Sequence, residues 1–219
     1  INHALGYETR QTYPTCHVKS PQCGRSGIKL THFVIQRTMN FLQRPLAITD
    51  VETTGFDAQV HEIIEIGLIV ADQKTLKVLG EWSAKVKPRH IRTAAEKALK
   101  INGYNKLDWA DSLDLEEAMR VYSKKTKNAI FLAHNSFFDW SFVTEAFKST
   151  GVEDHTDYHR LDLFSIVWSR NRIKQLKGLT KFNLGELCRY FDIEPELMPH
   201  RALNGARKAL EVLRKIQSV

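Results

Sequence analysis

An α/β fold, a mixed sheet covered by helices, is what the sequence predicts, and three observations predict it. Three strand-like segments come first, between residues 46 and 86. Helical and strand patterns then alternate to the end of the chain. The 219 residues, 42% of them hydrophobic, are enough to bury one full core.

The elements follow in order. Leu46 to Glu52 reads as a strand. His61 to Ala71 carries Ile63, Ile64, Ile66, Leu68, Ile69 and Val70, a nearly continuous β-branched run suited to a buried strand. Val78 to Val86 reads as a third strand, and helical patterns occupy about 93–101 and 115–127. Ala129 to His134 is a second buried-strand pattern, and Phe138 to Lys148 is amphipathic and helical. Tyr158 to Trp168 reads as a strand leading into a helix, and Asn183 to Phe191 as a short helix. The last helix runs from about Arg201, with Ala202, Ala206, Ala209, Leu210, Leu213 and Ile216 on one face. These elements define one domain over residues 39–219.

Residues 1–38 differ in kind. Pro14, Pro21, Gly24 and Gly27 interrupt an already poor periodicity. Arg10, Lys19, Arg25, Lys29 and Arg37 face one acid, Glu8, so this basic extension carries +4 of the formal net charge of +7. It reads as an upstream segment without a function of its own, ahead of a nucleic-acid-binding arm or a processed targeting remnant. Met39 is a candidate natural start, since the chain opens on Ile1. Cys16, His17 and Cys23 lack the paired short spacings of a zinc site. Three cysteines in all argue against a disulfide framework and suit a reducing, cytoplasmic setting. Cys188, among Leu184, Leu187 and Phe191 at helical spacing, reads as core. No apolar stretch approaches the roughly 20 residues that span a bilayer, so no membrane partner is expected. The basic balance favours polyanionic partners, nucleic acid above all.

The chemistry sits at the end of the first strand. Residues i and i+2 of a strand share a face, so Asp50 and Glu52 project two carboxylates side by side. Like charges that close need a cation or a proton between them. Thr53, Thr54 and Gly55 then turn the chain, and Gly55 offers close approach to a substrate backbone. Oxygen-only ligands suit Mg²⁺ or Mn²⁺ rather than zinc.

Three blocks in order resemble the DEDDh (DnaQ-like) 3′–5′ exonuclease family: Asp50-Val51-Glu52-Thr53-Thr54-Gly55, then His134-Asn135-Ser136-Phe137-Phe138-Asp139, then His200-Arg201-Ala202-Leu203-Asn204-Gly205-Ala206. Glu62 to Gly67, Asn102-Gly103 and the stretch from Phe182 to Phe191 support the likeness, which covers residues 45–217. The resemblance implies a ribonuclease H-like mixed sheet flanked by helices. It implies a two-metal phosphodiesterase releasing nucleoside monophosphates from DNA or RNA ends. Asp50, Glu52 and Asp139 would hold Mg²⁺ or Mn²⁺, with Asp139 acting through water. Two such ions, about 4 Å apart, stabilise the attacking and leaving oxygens of an in-line displacement. His200 would be the general base. Thr53, Thr54, Gly55 and Asn135 would bind a single-stranded 3′ end. A polymerase or a larger nucleic-acid assembly is a conceivable partner, and no feature sets an oligomeric state.

The third block departs from the family pattern. The family's last acid falls at position 205, which here is glycine, and Asn204 lies one residue out of phase, about 100° around the helix. Three readings follow: a weakened exonuclease, one that draws a ligand from elsewhere (Asp162 and Glu211 are candidates), or a non-catalytic nucleic-acid-binding or structural module on the same fold. Arg170, Arg172, Lys174, Lys177 and Lys181 form a basic cluster that could track a backbone or simply be solvated. Phe137, Phe138, Trp140 and Phe142 read as mostly core, with one available to stack on a base.

Overall fold

The computed structural model describes residues 40–174 and 176–218. The readings made on residues 1–38 and Met39 lie outside the described residues. A five-stranded sheet has the order β3-β2-β1-β4-β5. Its strands are β1 (Leu46–Thr53), β2 (Ile63–Ala71), β3 (Val78–Lys85), β4 (Ile130–Ala133) and β5 (Arg160–Asp162). β1, β2 and β3 form an antiparallel meander, while β4 and β5 run parallel to β1. The helices are α1 (Glu96–Asn102), α2 (Leu115–Lys125), α3 (Ser136–Thr150), α4 (Leu163–Lys174), α5 (Leu184–Tyr190) and α6 (Ala202–Ser218). The expected mixed sheet between helices is therefore the observed architecture.

Alternation along β1 sorts its residues onto two faces. Leu46 and Ile48 enter a core shared with Ile69, Ala71, Ala206, Ala209, Leu210 and Leu213, so α6 covers that face. Ala47 and Val51 enter the opposite core with Met119, Tyr122, Phe131, Phe142 and Val143 of α2, β4 and α3. Asp50 and Glu52 continue the line of Leu46 and Ile48, so they emerge on the α6 face where the apolar pattern stops. Thr49, on the other face, is buried and hydrogen-bonded to the Tyr122 hydroxyl at 2.8 Å.

Gly67 pairs across the ladder with Asp50. A Cβ there would stand 2.2 Å from the Ala202 carbonyl carbon, so the missing side chain admits the first turn of α6 onto the sheet. A bulge between Glu52 and Thr53 then releases β1 from its partner, with Thr53 opposite Ile63. The strand end is locked from the side by α1. Asn102 Nδ2 donates to the Thr53 carbonyl at 3.0 Å, Gly103 closes the helix at φ +61°, and the His200 N–H donates to the Ile101 carbonyl at 3.0 Å. The sequence pattern placed α3 two residues late. It starts at Ser136 because Asn135, at φ 61°, takes the left-handed conformation that asparagine tolerates. The segment from Gly103 to Asp114, unassigned by periodicity, buries Trp109, whose Nε1 donates to the Ile64 carbonyl at 2.8 Å.

Candidate active site

The parallel pairing of β1 with β4 ends at Ile48 and Leu132. Beyond it the edge of β1 is open, and Asp139 fills the gap: its Oδ1 accepts the Val51 N–H at 3.0 Å. Asp139 is in the first turn of α3 and is 3% exposed. The second block thus reaches the first by a carboxylate standing in for a missing strand. Asp50, Glu52, His200 and Gly205 line one cleft, together with His134 and Glu196.

Position 205 faces the acids. A Cβ built on Gly205 would lie 2.4 Å from Asp50 Oδ2 and 2.7 Å from its Cγ. Asn204 is exposed on the solvent side, 3.4 Å from Arg207 Nη1, so it does not replace the absent acid. Neither do the two candidates from the sequence. Asp162 Oδ1 accepts the Ser136 N–H at 3.0 Å, and its Oδ2 accepts the Ser165 N–H at 2.9 Å. Glu211 lies 3.4 Å from Lys208 Nζ and does not line the cleft that holds Asp50 and Glu52.

The residue that sequence reasoning missed is Glu196, in the loop between α5 and α6. Its side chain is 14% exposed, its Oε1 accepts the Arg201 N–H at 2.7 Å, and its Oε2 is 3.9 Å from His200 Nδ1. The available signal was an acid four residues before the third-block histidine in a chain that lacks the block's own acid. A second missed acid is Glu65. It pairs directly with Glu52 across the ladder and is 5% exposed, and its Oε2 has no hydrogen-bond partner among the described residues. A glutamate inside a β-branched run was the signal for it.

Burial and mutual repulsion decide the protonation of these acids. Asp50 is held well above the ordinary aspartate value by burial, then by the charges of Asp139 and Glu52. Glu52 is pushed up to about 8 by burial, then by Glu196 and Glu65, with Arg201 pulling the other way. Burial also raises Asp139 and Glu65. His134 is held below the usual imidazole value by burial. Oxygen donors in excess of nearby cations fit a hard divalent ion in type and in charge. Among the described residues no three acidic, histidine or cysteine side chains already form a cage around one point.

The remaining predicted residues divide. The hydroxyl of Thr53 donates to the Gly55 carbonyl at 2.6 Å, and that of Thr54 accepts the Glu62 N–H at 2.9 Å. Both are buried, so the turn itself uses their side chains. The space beside Gly55 is not open to a substrate. The His61 ring occupies it, with its Cδ2 2.2 Å from where a Cβ would stand. Asn135 is exposed at the start of α3. Phe142 is buried and Phe138 and Trp140 are half-buried, whereas Phe137 is 85% exposed, the one of the four turned out to solvent. Of the basic cluster, Arg170 lines a groove between α4 and the end of α6, and Lys181 Nζ is 3.8 Å from Glu186. The side chain of Lys174 lies outside the described residues. No helix among the described residues is long and apolar enough to cross a membrane.

A family model described as exonuclease (RNase T) matches residues 47–213. A DNA polymerase III PolC-type of Caldanaerobacter subterraneus subsp. tengcongensis is 28% identical over 81% of this chain and 12% of its own length. A 3′-5′ exonuclease DinG of Staphylococcus haemolyticus is 28% identical over 62% of this chain and 15% of its own. The chain thus spans less than a sixth of these relatives. Among solved structures, exonuclease I superposes with TM-score 0.70 at 17% identity over 80% of this chain and 41% of that one. E. coli exonuclease I in complex with a dA16 oligonucleotide gives 0.69 at 19% identity, with the same coverage. These likenesses carry the fold.

Proposed function

The chain belongs to the exonuclease family, and we propose that it is a metal-dependent 3′–5′ exonuclease releasing nucleoside monophosphates from single-stranded DNA or RNA. The observation that carries this reading is the convergence of the three blocks. Asp50 and Glu52 leave β1 on the α6 face, Asp139 caps the open edge between them, and His200 with Gly205 closes the same cleft.

Asp50 and Glu52 would hold the ion, with Asp139 next to them. A bound divalent ion supplies charge stabilisation to the attacking and leaving oxygens of the phosphodiester. The chain's own residues do the rest. His200, 42% exposed at the mouth of the cleft, takes the proton of the attacking water. Exposed Phe137 offers a face for a terminal base, and Asn135 beside it offers an amide. The relatives named for polymerase III make a polymerase a reasonable partner class, and the oligonucleotide bound to exonuclease I supports a single strand as substrate.

The test is a 5′-labelled single strand, DNA or RNA, incubated with Mg²⁺ or Mn²⁺. Stepwise shortening with Mn²⁺ exceeding Mg²⁺ is expected, because an incomplete acid set favours the ion that tolerates looser coordination. No shortening with either ion at high protein concentration refutes the reading. One observation favours a second reading, a binding module without turnover: position 205 presents no carboxylate to Asp50. Binding of the strand without cleavage would establish it.

A further inference from the structure

We propose that Glu196 supplies the third carboxylate of the divalent-ion site, replacing from the α5–α6 loop the acid that position 205 lacks. The inference rests on the exonuclease reading for the identity of the site, and it assigns a ligand that the family pattern does not contain.

Four observations carry it. First, the missing acid has a defined place. The family pattern puts it at position 205, and there the Cα of Gly205 faces Asp50, whose carboxylate fills the space a Cβ would need, so position 205 supplies no ligand. Second, Glu196 borders that place. It lines the cleft with Asp50, Glu52, His200 and Gly205, and only 14% of its side chain is exposed. Third, Glu196 is fixed there. The Arg201 N–H holds Oε1 at 2.7 Å, and Oε2 has no hydrogen bond among the described residues, since His200 Nδ1 at 3.9 Å is too distant. Fourth, the acids outnumber their cations. Glu65, opposite Glu52 on the same face, has a buried Oε2 with no partner among the described residues. The Arg201 guanidinium bonds the carbonyls of Asn102 and His200, and Lys208 stands 3.4 Å from Glu211. Arg189 and Lys208 also line the cleft, so its acids are only partly balanced; carboxylates gathered there repel one another at a cost in free energy that a divalent ion among them removes.

A competing role for Glu196 is to orient His200. That role would alter the pH profile of cleavage and leave ion affinity untouched, so ion affinity is the quantity to measure. Mn²⁺ is titrated calorimetrically into the full chain as wild type, Glu196→Gln, Gly205→Asp and the double variant. Glutamine keeps the acceptor for the Arg201 N–H. The expected result is at least about a tenfold loss of Mn²⁺ affinity in Glu196→Gln, because a charged ligand contributes at least what an outer-shell partner does. The double variant is expected to recover to within about threefold of wild type, since aspartate at 205 restores the lost charge once the Asp50 carboxylate turns aside for the new Cβ. Should the glutamine variant fail to fold, Glu196→Asp, which retracts the carboxylate by one methylene, is expected to lose affinity in the same direction. Unchanged affinity in these variants overturns the proposal. So does a loss that Gly205→Asp does not recover, and so does a wild type that binds no Mn²⁺. Absence of strand shortening together with Glu196-dependent Mn²⁺ binding would sink the exonuclease reading and leave this proposal standing.

Discussion

Asp50 and Glu52 are an unfavourable pair as bare carboxylates, and that single fact governs what their substitution should do. Asp50→Asn or Glu52→Gln replaces a buried carboxyl, which the fold must keep protonated well above its ordinary range, with a neutral amide. Cleavage is expected to fall by at least about a hundredfold, the upper end of what loss of an outer-shell partner costs. The melting temperature in the presence of a chelator should rise. A calorimetric scan beside the labelled-strand assay checks both, and a fall in melting temperature would contradict the repulsion account. The same charges set a pH dependence. Folded Glu52 keeps its proton to about pH 8, whereas the unfolded chain releases it near the ordinary glutamate value. Between those values the folded state binds more protons, so metal-free stability is highest at the acid end of the window and falls as pH rises to about 8. Saturating Mn²⁺ should flatten that slope, and chemical denaturation at pH 5.5 and 8 with and without the ion measures it.

At the scale of the elements, the approach of α6 to the sheet decides whether the third block reaches the first. Gly67 makes room for the Ala202 backbone, and backbone yields less readily than a flexible side chain. Gly67→Ala is therefore expected to destabilise by about 1–3 kcal/mol. It should also lower cleavage further than that loss explains, because it moves His200 and position 205 away from Asp50. Leu210→Ala, on the same helix but deep in the core at 2% exposure, is the control. It should cost about 2–5 kcal/mol of stability and leave kcat of the folded fraction close to wild type. Equal effects of both on kcat would show that the seating of α6 is not what assembles the site. The left-handed Asn135 and the caught edge of β1 at Val51 belong to this scale as well. Asn135 sets where α3 starts, and that start brings Asp139 to the Val51 N–H.

For the whole molecule, the charge is unevenly spread. Residues 1–38 hold +4 of the formal +7, which leaves +3 for residues 39–219, the part that carries an acidic cleft. Binding of a single strand should therefore be salt-dependent, with log affinity falling linearly against log salt. Removal of residues 1–38 should reduce the slope. A fluorescence-anisotropy titration from low to physiological salt reads it, and an unchanged slope would show that the extension makes no phosphate contacts. The sequence by itself determined the order and type of the elements, the two buried strands, the amphipathic α6 and the three blocks in register. Those are local periodicities and spacings, and the chain carries them wherever it folds. It also marked position 205 as lacking an acid, because the resemblance places the family's last acid five residues after His200, where this chain has glycine. What only the tertiary structure decided was who the neighbours are. Glu65 faces Glu52 through strand register, His61 fills the space beside Gly55, Phe137 is turned outward, and Glu196 comes beside Asp50 and Glu52 from a loop without periodicity. Contacts of that kind depend on how helix, strand and loop pack together; spacing along the chain can mark Glu196 and Glu65 as unusual acids but does not record which residues they meet.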